Sequence, residues 1–206
     1  IALLEVVPFP SASAVASWVF VAVAYGEGEP ETYVLPLTLA VGPHAAEVQQ
    51  QSPQAVLARV QRPDAEGLLC EAWWEPPLWE AVLVAIAGSE RFQGTTGALY
   101  ALPTQAFAAL WGPADAPLLP TPLAAEQSNT SVVYGERLIL KLFRRVADGV
   151  NPDLELGRFL TERTSFPHIA PVAGALEYHR DTGEPTTVGI LHGFMPNEGD
   201  AWGFTL

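Results

Sequence analysis

Lys141 is the only lysine in 206 residues, although the chain carries nine arginines. It lies in RLILKLF, where alternation sets Leu138, Leu140 and Leu142 on one side and Ile139, Lys141 and Phe143 on the other. An ammonium group among apolar neighbours is costly unless an anion meets it. Lysine meets phosphate as a compact point charge on a thin stem, whereas arginine approaches as a broad fork. Upstream, QSNTS (Gln127, Ser128, Asn129, Thr130, Ser131) offers small polar side chains and backbone N–H groups, which in a turn between strands can wrap an anion. Downstream, Glu155 falls in the first turn of an expected helix, about where a carboxylate reaches Lys141. The run HGFMPNEGD then passes from an apolar segment into a polar loop, as a hinge between two lobes would. The chemistry these residues suit is the holding of a polyphosphate. Each also has a plainer account, which is the better one when each is taken alone: a strand lysine reaching solvent, a hydroxyl-rich turn, and an acid favoured by the helix dipole.

Other residues with chemical potential fall short by spacing. His44 and His168 have no partners at metal-ligand spacing, and Cys70 has no histidine motif near it. The tripeptide HRD (His179 to Asp181) copies part of a kinase catalytic loop, but Thr186 stands where a metal-binding asparagine belongs and Asp181-Thr182-Gly183 is good turn chemistry. GTTG (Gly94 to Gly97) lacks the lysine and hydroxyl of a P-loop, so a turn is expected. The sequon at Asn129 matters only in a secreted protein. The tryptophans of AWWEPPLW are expected in the core rather than on a sugar.

These residues need a scaffold. Trp18 to Tyr25 and ETYVLPLTLAV read as strands about the turn GEGEP, and QAVLARVQ and GLLCEAWW as another pair about RPDAEG. In LWEAVLVAIAG, Leu78, Val82 and Ile86 recur at helical spacing, with Gly88 as the stop. GPADAPLLPTPLAA holds four prolines and reads as an extended connector. SVVY and RLILKLF form a hairpin through Gly135 and Glu136. Asn151 caps and Pro152 opens the helix DLELGRFLTERT, and ALEYHR and TTVGILHGF bracket DTGEP. The expected fold class is α+β: a small antiparallel-sheet unit over 1–110, a connector over 111–125, and a second unit over 126–206 made of an antiparallel sheet with one capped helix.

Composition narrows the partners. Hydrophobic residues make up 49% of the chain, enough for a core, and the formal net charge of -13 opposes nucleic acid as a partner. Positive charge gathers late: residues 1–125 hold 12 acids and 3 bases, residues 126–206 hold 11 and 7. One cysteine and no signal-peptide pattern fit a reducing cytoplasm, and no apolar run approaches the ~20 residues of a membrane helix.

The stretch EQSNTSVVYGERLILKLFRRVADGVNPDLELGRFLTE, followed by FPHIAPVAGALEY and FMPNEGDAW, resembles maltokinases, especially those fused to trehalose synthase. The likeness is dense over 126–206 and looser over 1–110, which it makes the amino-terminal cap of that family. Maltokinases belong with aminoglycoside-phosphotransferase-like and protein-kinase-like enzymes and transfer the γ-phosphate of ATP to the anomeric hydroxyl of maltose. The resemblance makes 126–206 a kinase-like N-lobe, with Gln127, Ser128, Asn129, Thr130 and Ser131 as its phosphate-covering loop. It makes Lys141 the nucleotide lysine, Glu155 its helix partner, and Gly193, Phe194, Met195, Asn197 and Glu198 part of the hinge that receives adenine. His192 departs from it, since glutamine is expected there. The resemblance implies ATP and Mg2+ as cofactors, maltose as acceptor, and a trehalose synthase domain as a possible partner. It places the catalytic aspartate and the metal ligands in a carboxy-terminal lobe beyond residue 206, so the chain alone is expected to be inactive. Another sugar or aminosugar kinase, or a non-catalytic docking module, are the alternatives.

Overall fold

The computed structural model describes residues 1–10, 15–61, 63, 66–112, 118–123 and 129–196. In chain order its elements are strands β1 (Ala2–Pro10), β2 (Val15–Val23) and β3 (Glu31–Val41), helix α1 (Gly42–Gln51), and strands β4 (Val56–Gln61) and β5 (Glu66–Glu71). Helix α2 (Pro76–Gly88), strands β6 (Arg91–Gln93) and β7 (Gly97–Pro103), helix α3 (Phe107–Trp111) and strand β8 (Pro120–Pro122) follow. The remainder is β9 (Asn129–Tyr134), β10 (Leu138–Phe143), β11 (Arg145–Val146), helix α4 (Pro152–Arg163), β12 (Val172–Arg180) and β13 (Thr186–Gly193).

Two antiparallel sheets result. The first runs β1-β2-β3-β5-β4, with β11 attached to β3; the second runs β6-β7-β12-β13-β10-β9-β8. This is the α+β class expected. The connector divides the sequence but not the hydrogen bonding: β6 and β7, from before residue 110, complete the second sheet, while β11, from after it, joins the first. Pairing of β7 with β12 spans more than seventy residues, and no local pattern announces such a partner. The core is equally shared. Trp18 and Phe20 of the first sheet, Trp79, Val82 and Ile86 of α2, and Leu138, Leu140 and Leu142 of β10 belong to one buried cluster.

Local chemistry explains the elements that carry the site. Gly135 (φ 53) and Glu136 (φ 56) both take the left-handed conformation, and the Arg137 N–H donates to the Tyr134 carbonyl at 3.1 Å, so the β9-β10 connection turns tightly. Asn151 Oδ1 accepts from the Asp153 N–H at 2.9 Å and Pro152 occupies the first turn, which fixes where α4 starts. At the end of α2 the left-handed residue is Ser89 (φ 54), one position after the glycine expected to stop it; Gly88 is the last helical residue.

The GTTG stretch is a turn, as expected, closed by the Gly94 N–H on the Gly97 carbonyl at 2.8 Å, and its two threonines direct their donors at one side chain. Glu5 of β1 is 3% exposed. Its carboxylate accepts from the amides of Thr95 (2.7 Å) and Thr96 (2.8 Å), from Thr96 Oγ1 (2.8 Å) and from Tyr178 Oη (2.7 Å). The first sheet is thereby tied to β12 and to the β6-β7 turn through a single anion. HRD is likewise structural: His179 and Arg180 end β12 and Asp181 begins the following bend. Of the tryptophans in AWWEPPLW, Trp73 and Trp79 stack in the core with ring centroids 5.5 Å apart, whereas Trp74 is half exposed.

Candidate nucleotide site

Strand β10 is the second sheet's inner neighbour of β9 and β13, and its alternation is as the sequence requires: the three leucines are buried in the shared core, and Ile139, Lys141 and Phe143 lie on the opposite face. Directly paired residues of antiparallel strands share a face. Lys141 is flanked by Ser131 on β9 and Ile190 on β13; Ile139 is flanked by Val133 and His192; Phe143 is paired with Asn129. Helix α4 covers part of this face by burying Leu154 against Val172, Ala175 and Ile190.

Beyond the helix lies an open cavity of roughly 370 Å³, lined by Ser131, Ile139, Lys141, Ala170, His192, Gly193, Phe194 and Met195. Five of the expected site residues meet here: Ser131, Lys141, Gly193, Phe194 and Met195. The volume lies within the range of small-molecule sites. Its chemistry is also divided as a nucleotide would need, with an ammonium and a hydroxyl at one part and aliphatic, aromatic and thioether groups at another. Larger cavities exist elsewhere on the surface, one between β3 and the segment 143–152, but none of them contains Lys141.

The Lys141 Nζ is 4.0 Å from Asp153 Oδ2 and 5.6 Å from the centroid of the Phe143 ring. The helix carboxylate beside the lysine is therefore Asp153, not Glu155 as expected. The two are about 200° apart around an α-helix, so they cannot both face the sheet edge. Glu155 lines a different depression with Asp148, Arg158 and Glu184. Asp153 is 67% exposed and Lys141 38%, so their ion pair orients the ammonium while contributing little stability. If the cavity holds a nucleoside diphosphate, Asp153→Asn weakens ADP by about two- to threefold, the scale of such a pair, and Glu155→Gln leaves it unchanged. Calorimetric titration of the two variants checks this, and a larger effect from Glu155→Gln would reverse the assignment.

A second correction concerns Thr130. One residue from Ser131, it faces the other side of the sheet, is buried, and accepts a hydrogen bond from Arg144 Nε at 3.2 Å. It does not reach the Lys141 face. Asn129 shares the face through Phe143. Gln127, Ser128, Asn197 and Glu198 lie outside the described residues.

The hinge expectation is narrowed. The Gly193 N–H donates to the Pro171 carbonyl and the Phe194 N–H to the Arg137 carbonyl, each at 2.8 Å. Both amides are thus committed within the protein and neither is left to hold a base. Sequence reasoning missed Ala170, which no local pattern marks, and Ile139, which the β10 alternation already put beside Lys141. Among the described residues no group of three or more His, Cys, Asp or Glu side chains is placed to hold a metal ion, and no helix is long and apolar enough to cross a membrane.

An antiparallel sheet with a capped helix over its lysine-bearing face has the form of a kinase-like N-lobe, here extended by a second sheet. Among solved structures the chain is similar to a glucosamine kinase in complex with glucosamine, ADP and inorganic phosphate, with a TM-score of 0.53 and 13% sequence identity. That likeness covers 99% of this chain and 39% of the other, so the chain spans well under half the length of the kinase it matches. At this identity it is the fold that is shared. No known protein-family profile matches the chain.

Proposed function

We propose that this chain is the ATP-binding half of a sugar kinase and, within that class, of a maltokinase that forms maltose 1-phosphate. The observation that carries the reading is the meeting of Ser131, Lys141 and the strand end Gly193–Met195 around one cavity. In this reading Lys141 neutralises the nucleotide phosphates, Asp153 aims it, the Ser131 hydroxyl bonds a phosphate oxygen, and Ile139, Ala170 and Phe194 enclose the base. Positioning and charge neutralisation are what phosphoryl transfer chiefly demands of a protein. Magnesium, when bound with ATP, supplies further neutralisation. Its ligands, and the aspartate beside the acceptor hydroxyl, belong in the maltokinase resemblance to the carboxy-terminal lobe. The first sheet serves as a cap on the lobe and as a face toward a trehalose synthase domain, while β6 and β7 belong to the lobe itself.

The maltose assignment is supported by the long motif likeness over 126–206. A second reading, an aminosugar kinase, is favoured by one observation, the glucosamine-bound neighbour of the same fold. Incubating the full-length polypeptide with MgATP and either sugar, and following products by phosphorus NMR, separates them. An anomeric phosphate formed from maltose alone is the expected result, and phosphorylation of glucosamine alone would overturn it. A docking module, the remaining alternative, would be indifferent to loss of the Lys141 ammonium.

A further inference from the structure

We propose that His192 is the side chain that distinguishes an adenine from a 6-oxopurine in this cavity, by presenting the lone pair of Nε2 to the exocyclic amine of the base. The inference rests on the nucleotide reading of the cavity and adds to it a base-selecting residue.

The imidazole lines the cavity, across the ladder from Ile139 and one residue before the strand ends. Its Nδ1 lies 3.4 Å from the Ala170 carbonyl oxygen. A carbonyl only accepts, so in the neutral ring the proton sits on Nδ1 and Nε2 carries a lone pair. The hydrogen bond that the described residues give this ring is the one at Nδ1. Burial holds this imidazole below the ordinary histidine range; the Ala170 carbonyl and Asp153 oppose that shift and Lys141 adds to it. At pH 7 the ring is therefore neutral and the acceptor is present.

Among the side chains of the described lining, no other offers a fixed acceptor. Lys141 only donates, and the Ser131 hydroxyl either donates or accepts and so does not discriminate. An amine at the purine 6-position completes a hydrogen bond to Nε2, whereas a 6-oxo group sets lone pair against lone pair. Relief would need the other tautomer, which turns a lone pair of Nδ1 toward the Ala170 carbonyl. At 3.4 Å that lock is weak, so the selectivity it supports is on the order of tenfold and not thousandfold.

ADP and IDP differ in this purine 6-substituent, an amine in one and a carbonyl in the other. Titrating the chain calorimetrically with each at pH 7.5 should give ADP about tenfold tighter. His192→Leu should bring the ratio near one. His192→Gln, whose carboxamide offers either an oxygen or an N–H, should keep ADP affinity within about threefold and gain IDP affinity. If wild type binds neither nucleotide, the reading of the cavity fails and this inference with it. If wild type favours ADP and both variants keep the same ratio, the inference alone fails and the nucleotide site stands. Thermal melts of each variant establish that it folds, and should His192→Leu not fold, retention of the tenfold ratio by His192→Gln is the overturning result.

Discussion

Lys141→Ala is expected to weaken ADP binding on the order of 10- to 100-fold, the scale of losing charge-assisted hydrogen bonds to phosphate, while the fold stays nearly as stable as before. The two halves of that expectation have separate causes. The ammonium group has no deep role in the fold. It is over a third exposed, and its carboxylate neighbour is 4.0 Å away and itself largely in solvent. Removing such a pair costs the folded state no more than about 0.5 to 1 kcal/mol. Toward the cavity, by contrast, Lys141 is the one cationic side chain in the described lining, so the phosphates lose their principal counter-charge. Lys141→Arg should fall between, because the charge remains but a planar fork replaces a point charge on a thin stem. Calorimetry and a thermal melt on the same samples measure both halves. Unchanged ADP affinity in a folded Lys141→Ala protein would remove the kinase reading and leave the docking one.

The largest effect on stability is expected from a residue remote from that cavity. For Glu5, burial opposes ionisation most strongly. Hydrogen bonds from Tyr178 Oη, from the hydroxyl and amide of Thr96 and from the Thr95 amide together outweigh it, and lower the pKa from the ordinary 4.5 to about 2. A pKa lower in the folded than in the unfolded chain means that the carboxylate stabilises the fold fully above pH 4.5, and that this contribution fades as the pH falls from 4.5 toward 2. The shift corresponds to about 3 kcal/mol at neutral pH. Glu5→Gln should lose about that much, since a carboxamide nitrogen must then face donors that have no acceptor. Urea unfolding at pH 7 and at pH 3 tests it. Wild type should weaken between the two conditions through this group, and the variant should lack that component; a variant as stable as wild type at pH 7 would refute the claim.

What the sequence could show, and what it could not, follows the range of the interactions involved. Alternation along β10 identified the face of Lys141, and the caps at Asn151 and Pro152 identified the start of α4, because both are settled within a few residues. Choosing between Asp153 and Glu155 required knowing on which side of Leu154 the lysine lies, which depends on how α4 crosses the sheet. Thr130 was misplaced because QSNTS was read as a turn. Its last three residues are strand, and a strand sends neighbours to opposite faces. Glu5 left no trace at all: an acid in an apolar strand has no visible reason until a turn ninety residues later surrounds it with donors.

Strand β8 is one of the two edge strands of the second sheet. The Leu123 N–H just beyond it points inward to the Ser131 carbonyl, so by alternation the outward positions are 120 and 122, and both are proline. The rim of the sheet therefore offers a neighbouring molecule no N–H at the two places where an added strand would seek one. This border of the seven-stranded sheet is thus protected against edge-to-edge pairing, and Pro120→Val with Pro122→Val would restore the lost adhesive edge.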